Sequence, residues 1–436
     1  MVRPIEKEVT DLSFVGLLLL TCAGKFLQHR SEPSAMAKIS LLTFVCCFSF
    51  ALCYPPVYYQ PEQVHIAYGE DETQMYVVWS TQNDTVSSVV LYSLAGSSQQ
   101  LVAEGGTYNC GSDKGWSPEF SFTAMQKGNN WSPRLAIYGD LGNINGQSIP
   151  RLQLETEKGM YDAILHVGKH QSNMFEKLSV QDDAKVGDEF MKQIEPIAAN
   201  VPYLTCPGNH EVNYNFSNYK HRFAMPGDPY MDRMFFSFNI GPAHIISFST
   251  EYYFFVQFGI AQAAEQYRWL EQDLMEATKP ENRAQRPWII TMGHRPMYCS
   301  NADNDDCTKT GSMVSENWLA YPALFATRKI FYDYGVDVML WAHEHSYERM
   351  WPVYDEKVYN GSLKEPYTNP KAPVHVVTGS AGCQENHDKF ITNFAAWSAF
   401  HSDDYGYTRM TIHNTTRTCT WNRFLMTREE KLLTPS

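Results

Sequence analysis

Basic residues are scarce in this chain: 35 lysines and arginines stand against 48 aspartates and glutamates, for a net charge of -13. A nucleic-acid-binding protein needs a basic face that displaces counterions, so this balance argues against that class. Small anionic substrates are compatible with it only where a local positive centre, such as a bound metal ion, offsets the field. Internal repeats and low-complexity stretches are also lacking, and 44% of the residues are apolar, as in ordinary folded proteins.

Cys-x-x-Cys pairs are absent as well. The cysteines beyond Cys53 are widely spaced, at Cys110, Cys206, Cys299, Cys307, Cys383 and Cys419. In an oxidising compartment one or more disulfides are expected among them. Our first choice of pairing is Cys299 with Cys307.

The N-terminal region predicts a secretory signal peptide. A second Met, Met36, opens a segment with a lysine, a largely apolar run from Leu41 to Leu52 and a helix-breaking exit at Pro55. The run is too short to anchor the chain in a bilayer, so no membrane anchor is expected; a buried strand or helix is the alternative. Residues 1–35 are interpreted as an upstream extension. Five glycosylation sequons support secretion: Asn83, Asn130, Asn215, Asn360 and Asn414.

Residues 55–125 predict a small β-sandwich. Segments 74–80 and 89–92 are rich in β-branched and aromatic residues, turn residues separate them, and no helical period is present. The sandwich is short, by about two strands between Leu101 and Cys110.

From Trp131 onward, strands alternate with amphipathic helices, which indicates an α/β layered domain. One helix presents Val186, Phe190, Ile194 and Ile197 on one face, a second lies over 263–277, and a third, near 320–334, ends at Gly335. The predicted strands are 135–138, 163–167, 203–206, 244–248, 288–292, 336–341 and 374–378.

Four of these strands run directly into short polar loops. The loops are Gly139-Asp140-Leu-Gly, Gly208-Asn209-His210-Glu, Gly293-His294-Arg295-Pro and Ala342-His343-Glu-His345. Because ligands bind at the carboxyl ends of strands in α/β proteins, we expect the loops to bring five side chains together: Asp140, Asn209, His294, His343 and His345.

These oxygen and nitrogen donors suit Fe, Zn or Mn in a catalytic site, and they do not suit a Cys-rich structural zinc or a calcium site. Five ligands exceed what one tetrahedral zinc needs, which indicates two metals; a pair roughly 3.5–4 Å apart can clamp a phosphoryl group.

Each motif has a plainer interpretation when taken alone. Asp140 could lie in an ordinary turn, and His343 and His345 could be a surface pair on a strand. Arg295 could be a phosphate contact or a surface cation.

The four loops resemble four of the five metal motifs of the metallophosphoesterase superfamily, and Ser346-Tyr-Glu-Arg349 resembles its purple acid phosphatase branch. The resemblance spans roughly residues 57–415. It implies an α/β metallophosphoesterase fold of two stacked sheets flanked by helices, preceded by a small fibronectin-III-like β-sandwich. The domains would be 1–53 (extension and signal peptide), 55–125 (sandwich), 132–415 (catalytic) and 416–436 (a divergent tail).

The resemblance also implies roles for the candidate residues. Asp140 and His345 would bind iron. Asn209, His294 and His343 would bind a second metal, which would be zinc, iron or manganese. His210 would lie outside the metal ligands and help to orient the substrate or protonate the leaving group.

One family motif is missing. The family has Gly-Asp-x-x-Tyr after the second strand, and its Asp bridges both metals while its Tyr binds iron. Here Gly168 is followed by Lys169, and no tyrosine occurs in the replacement segment. Two nearby cations repel unless a carboxylate offsets them, and a lysine adds positive charge. Glu176, Asp182 or Asp183 are the candidates to replace the carboxylate. The strand pattern is also expected to stop near Cys419.

Three functions are therefore open. The first is a secreted acid phosphatase that hydrolyses phosphate monoesters through a metal-activated hydroxide. The second is an inactive or impaired secreted glycoprotein on the same scaffold. The third is a phosphodiesterase or nucleotide pyrophosphatase, because the pocket walls rather than the metals select the ester. The expected partner is a small phosphate ester, with no nucleic acid; the oligomeric state is not predicted.

Overall fold

The N-terminal part of the chain forms two small sheets in the computed structural model. The structure describes residues 3–6, 59–83, 85, 87–94, 106–168, 184–255, 257, 260–302, 307, 327–382, 385, 387–413 and 418–425. The first strands are β1 Arg3–Glu6, β2 Glu62–Tyr68, β3 Met75–Thr81, β4 Val89–Leu94, β5 Gly106–Ser112, β6 Gly115–Trp116 and β7 Phe120–Phe122.

One N-terminal sheet has the order β1-β3-β2, and the other joins β4, β5 and β6, with β7 on β5. Val64 and Trp79 of the first sheet share a buried cluster with Cys110 of the second, so the two sheets pack on a common core. Strands β3 and β4 confirm the predicted segments. Residues 95–105, where the sandwich was predicted to be short, lie outside the described residues, and the likeness to fibronectin III stays a prediction.

Two larger sheets follow. Their strands are β8 Arg134–Tyr138, β9 Ala163–Val167, β10 Tyr203–Cys206, β11 Phe236–Ile240, β12 Ala243–Ser247, β13 Trp288–Met292, β14 Val338–Trp341, β15 Tyr347–Met350, β16 Val353–Tyr354, β17 Lys357–Val358, β18 Val374–Thr378, β19 Ser398–Ser402, β20 Gly406–His413 and β21 Thr418–Leu425. The order is β10-β9-β8-β20-β21 in the five-stranded sheet and β11-β12-β13-β14-β18-β15-β19 in the seven-stranded sheet; β16 and β17 form a separate pair.

Each large sheet contains a run of adjacent parallel strands: β8, β9 and β10 in one, and β12, β13, β14 and β18 in the other. They read as near-continuous apolar runs, as strands covered on both faces do. Ile137 and Leu165 from one sheet and Ile290 and Leu340 from the other belong to a single buried cluster. The two sheets are therefore stacked, as expected.

Helices cover the two large sheets. They are α1 Ile149–Glu157, α2 Ala184–Ala198, α3 Asn213–Arg222, α4 Glu251–Phe254, α5 Ile260–Ala277, α6 Pro280–Gln285 and α7 Thr327–Asp333. Helices α2 and α5 bury most of the apolar faces predicted from their 3.6-residue period, while Val186 and Tyr267 on those faces are half-buried. Helix α7 is followed by Gly335 with a φ of 62°, the left-handed stop that was predicted; residues 320–326 lie outside the described part of the chain.

Several predicted boundaries need correction. Strand β14 begins at Val338 rather than Val336, because Asp337 closes the preceding turn and its carboxylate accepts the backbone N–H of Ile289 at 2.7 Å. The expectation that the strand pattern stops near Cys419 is wrong. Strand β21 continues to Leu425 and pairs with β20 along eight positions, since the free edge of β20 offers a full ladder of backbone groups.

The predicted glycosylation sites mostly lie on the surface. Asn83, Asn130 and Asn360 are exposed and Asn215 is half-buried, whereas Asn414 lies outside the described residues. The predicted signal segment lies outside them too. Within the part of the chain that the structure covers, no helix combines the length and apolarity that crossing a membrane requires.

Candidate metal centre

The five predicted ligands lie in loops at the carboxyl ends of four strands. Asp140 follows β8, and Asn209 opens a short 3-10 helix after β10. His294 follows β13, and His343 and His345 lie in the turn after β14 rather than on the strand itself. Two of these strands belong to each large sheet. Stacking the sheets therefore brings all four loops to one edge.

Contacts connect the five side chains to one another. His294 Nε2 lies 2.9 Å from Asn209 Oδ1, and the rings of His294 and His343 are 5.1 Å apart between centroids. The backbone N–H of His343 donates to Asp140 Oδ2 at 2.8 Å, and His345 Nε2 lies 3.9 Å from Asp140 Oδ1. The structure thus brings together every residue that the four motifs nominated.

The contacts of His294 are compatible with a metal ligand. When Nδ1 carries the proton, it donates to the Val167 carbonyl at 3.3 Å, and the Nε2 lone pair then faces the Asn209 oxygen. These two atoms are then both acceptors, about 3 Å apart. Two ligands of one metal ion have such a separation when each lies about 2.0–2.2 Å from the ion. Turning the Asn209 amide over would instead give an ordinary hydrogen bond. The donor set of imidazole, amide and carboxylate fits a metal pair.

Backbone strain is concentrated at two of the candidate ligands. Asp140 has a φ of 55° and His343 a φ of 71°, both in the left-handed region that non-glycine residues rarely occupy. Hydrogen bonds hold both turns: Gly139 N–H donates to the Thr378 carbonyl at 2.9 Å, and Ala342 N–H donates to the His294 carbonyl at 2.9 Å. Strain of this kind persists where the surrounding structure enforces it, and it is frequent at functional sites.

Glycines leave room for the candidate ligands. A Cβ at Gly168 would meet the ring of His294 well inside 3.0 Å, and one at Gly379 would lie 2.5 Å from Asp140 Oδ2. Gly168 also has a φ of 73°, which favours glycine on its own account. The close approach of backbone to side chain at both positions explains why the site needs glycine there.

A carboxylate that the sequence motifs did not nominate joins the group. Glu385 lies 3.2 Å from His210 Nε2 through one oxygen and 3.2 Å from His345 Nε2 through the other. It thus links the predicted outer histidine to a predicted ligand. The loop after β18 carries it, together with Asp388, whose carboxylate accepts the backbone N–H of His345 at 2.6 Å. Glu385 lies in no recognised motif, so only its position after another parallel strand could have indicated it.

Arg295 is buried rather than a surface cation, with 8% of its surface exposed. Its Nε donates to both carboxylate oxygens of Glu251, at 3.2 and 3.1 Å, and its Nη1 donates to His343 Nε2 at 3.2 Å. The alternative of an ordinary surface cation is therefore wrong.

Cys206, at the end of β10, has a buried thiol that is poorly suited to act as a nucleophile. Burial raises the pKa of the Cys206 thiol well above its usual range, and the carboxylates of Glu251, Glu211 and Asp140 raise it further. The predicted disulfide between Cys299 and Cys307 is confirmed, with Cα atoms 5.6 Å apart. Its Cys307 sulfur lies 3.0 Å from Glu344, the residue between the two histidines, but a disulfide sulfur is not a thiolate ligand.

Comparison with known proteins agrees with this geometry. The calcineurin-like phosphoesterase model matches residues 133–347. The model described as iron/zinc purple acid phosphatase-like protein C matches residues 372–422. Acid phosphatase type 7 of Danio rerio is 52% identical over 83% of this chain and 87% of its own length. The Homo sapiens protein of that name is 49% identical over 82% and 86%.

The chain belongs to the purple acid phosphatase family. A solved purple acid phosphatase, PPD1 from yellow lupin (Lupinus luteus), superposes with a TM-score of 0.64 at 20% identity, over 86% of this chain and 76% of that one. That likeness supports the fold. The family is one of metal-dependent phosphatases, which are hydrolases of the phosphoesterase class. Residues 169–183, which replace the family motif with the bridging Asp, lie outside the described residues. The three candidates to replace that carboxylate, Glu176, Asp182 and Asp183, belong to this segment.

Proposed function

We propose that this chain is a secreted acid phosphatase that hydrolyses phosphate monoesters with two metal ions. The observation that carries the proposal is the convergence of Asp140, Asn209 and three histidines through direct contacts at one sheet edge. Secretion is supported by the exposed sequons at Asn83, Asn130 and Asn360 and by a disulfide, which is typical of oxidising compartments.

Each residue has a distinct task in this proposal. Asp140 and His345 would hold iron, and Asn209, His294 and His343 would hold zinc, iron or manganese. When bound, the metal pair would lower the pKa of a water, so that hydroxide is available to attack phosphorus near neutral pH. The Val167 carbonyl fixes the ring of His294 through Nδ1, so that Nε2 faces the site.

Glu385 connects His210 to the proposed ligand His345. The side chain of His210 is 7% exposed, and Glu385 lies 3.2 Å from its Nε2. A carboxylate in this position fixes the orientation of the ring. We assign His210 to orienting the ester or delivering a proton to the leaving oxygen.

The test is metal content and hydrolysis measured on the same recombinant samples. The proposal expects nearly two metals per chain, as the five ligands imply, and cleavage of an aryl phosphate at mildly acidic pH. His294→Ala should lose both. The matched control is His244→Ala, a partly buried histidine paired with Asp273 at 2.8 Å outside the site, which should lose neither. Unchanged hydrolysis in His294→Ala would refute the assignment, and preference for a bis-aryl ester would favour a diesterase.

The alternative function is a non-catalytic secreted glycoprotein. Lys169 favours it, because a lysine stands where the family has the carboxylate that bridges both metals. Lys169→Asp separates the two proposals: a gain of metal and hydrolysis would mean that this single loss had impaired the site. A wild-type chain that already holds metal and cleaves the ester would rule the alternative out.

A further inference from the structure

Arg295 is held in one orientation by helix α4. Both oxygens of the Glu251 carboxylate accept from its Nε, at 3.2 and 3.1 Å, and its guanidinium lies 4.4 Å from the centroid of the Phe254 ring. The Glu251 side chain is fully buried and that of Arg295 is 10% exposed. The backbone is fixed too, since Arg295 N–H donates to Thr250 Oγ1 at 3.0 Å.

Such an ion pair is a poor device for stability. Desolvating two charges costs about as much as their attraction returns, so a well-packed apolar pair would serve stability equally well. What the arrangement provides is direction: the Nε edge of the guanidinium faces Glu251, while Nη1 faces the candidate site. Fixing the orientation of Arg295 is therefore a role distinct from stabilising the fold.

The position of Nη1 beside a proposed metal ligand is suited to binding an anion. Nη1 donates to His343 Nε2 at 3.2 Å, and His343 is one of the five proposed ligands. A guanidinium and a metal ion at His343 would repel each other unless a negative group lay between them. A phosphoryl oxygen meets this need, because the planar N–H groups of arginine match phosphate geometry and stay charged at every relevant pH.

We propose that Arg295 is a phosphate-binding residue whose Nη edge donates to a non-bridging oxygen of the phosphoryl group. Glu251 and Phe254 are its positioning residues. The inference rests on the proposed function, since it names the part of that site which recognises the substrate's charge. It also accounts for how a chain of net charge -13 offers an anion a fixed local cation.

The test compares three variants with wild type. Arg295→Lys keeps a positive partner for the buried Glu251 carboxylate but loses the fork. Glu251→Gln keeps Arg295 but weakens its hold. Arg283→Lys is the matched control, because Arg283 also pairs with an acid, Asp337 at 3.0 Å, and lies outside the site. Metal content and the melting temperature without phosphate check that each variant is intact.

Two readouts measure phosphate binding directly. They are the competitive inhibition constant of inorganic phosphate and the rise in melting temperature that phosphate produces, which needs no turnover. Arg295→Lys should weaken both KM and the inhibition constant roughly 10-fold and shrink the thermal shift, since a charge-assisted hydrogen bond is lost. Glu251→Gln should show a smaller loss in the same readouts, and Arg283→Lys none.

Phosphate binding in Arg295→Lys that equals wild type would overturn the inference, as would a wild-type chain that phosphate does not stabilise. The fate of the proposed function is read separately. A wild-type chain that cleaves no ester, yet is stabilised by phosphate only when Arg295 is present, would refute the phosphatase proposal and support the phosphate site.

Discussion

Replacing Gly379 by alanine should remove metal without unfolding the protein. Gly379 follows β18 and lies against the turn that carries His343 and His345. An added Cβ would lie 2.5 Å from Asp140 Oδ2 and closer still to the Glu344 carbonyl oxygen, where distances under 3.0 Å are not tolerated. The Glu344 carbonyl belongs to the backbone between two proposed ligands. Whichever neighbour moves, a proposed ligand therefore moves with it.

The magnitude follows from the size of this clash. Overpacking by one methyl group costs about 1–3 kcal/mol of unfolding free energy, a loss of several degrees in melting temperature. A displacement of about 1 Å at a catalytic group costs on the order of 100-fold in rate. Gly379→Ala should therefore melt a few degrees lower and yet lose most of its metal and activity at 25 °C.

Gly361→Ala is the matched control for this prediction. Its added Cβ would meet the Thr368 carbonyl oxygen well inside 3.0 Å, in an exposed loop between β17 and β18. It should lower the melting temperature similarly but keep metal and kcat. The assay is metal analysis beside steady-state kinetics and thermal melting. Wild-type metal and kcat in Gly379→Ala, or equal loss of metal in both variants, would show that Gly379 does not position the proposed ligands.

Three further predictions concern iron, a carboxylate and acid stability. Even when loaded with iron, the chain should lack the visible tyrosinate-to-iron absorption band, because no tyrosine occurs in the segment replacing the family motif; a purple preparation would contradict this. Glu385→Gln should lower kcat roughly 10- to 100-fold with a smaller change in KM, since His210 loses its charged partner; unchanged kinetics would remove Glu385 from the site. Burial lowers the pKa of His375 from 6.5 to about 3. Between these pH values the unfolded chain binds a proton at His375 that the folded chain does not. The free energy of unfolding therefore falls as pH drops from 6.5 towards 3. The melting temperature of His375→Gln should therefore fall less steeply with decreasing pH than that of wild type. If the melting temperatures of the two proteins fell in parallel, His375 would not be a neutral buried histidine.

Much of the fold could be predicted from hydrophobic pattern alone. Strands β9, β10, β13 and β18 agree with their predicted ranges, because covered parallel strands are short apolar runs ended by turn residues. Strand β21 could not be predicted in this way. Its residues, Thr418 to Leu425, mix polar and apolar types, and what makes them a strand is the open edge of β20, a tertiary partner that no local pattern shows.

Part of the candidate site could likewise be predicted from local sequence, and part of it could not. Motifs at strand ends nominated the five converging residues and His210, because the loop positions follow from the strand positions. The motif after β13 also named Arg295 as a possible phosphate contact, but its partner Glu251 and the carboxylate Glu385 could not be found in this way, since their importance comes from contacts across elements. Which sheet each strand joins, and therefore which loops meet, is decided by packing rather than by any one segment.

The most direct test of the account is the number of metal ions per chain, measured beside phosphatase activity in wild type, Asp140→Asn and His294→Ala. We expect that wild type holds metal and cleaves an aryl phosphate, and that each substitution lowers both together while the melting curve stays cooperative. Metal content that is indifferent to both substitutions, or hydrolysis by a chain that holds no metal, would contradict it.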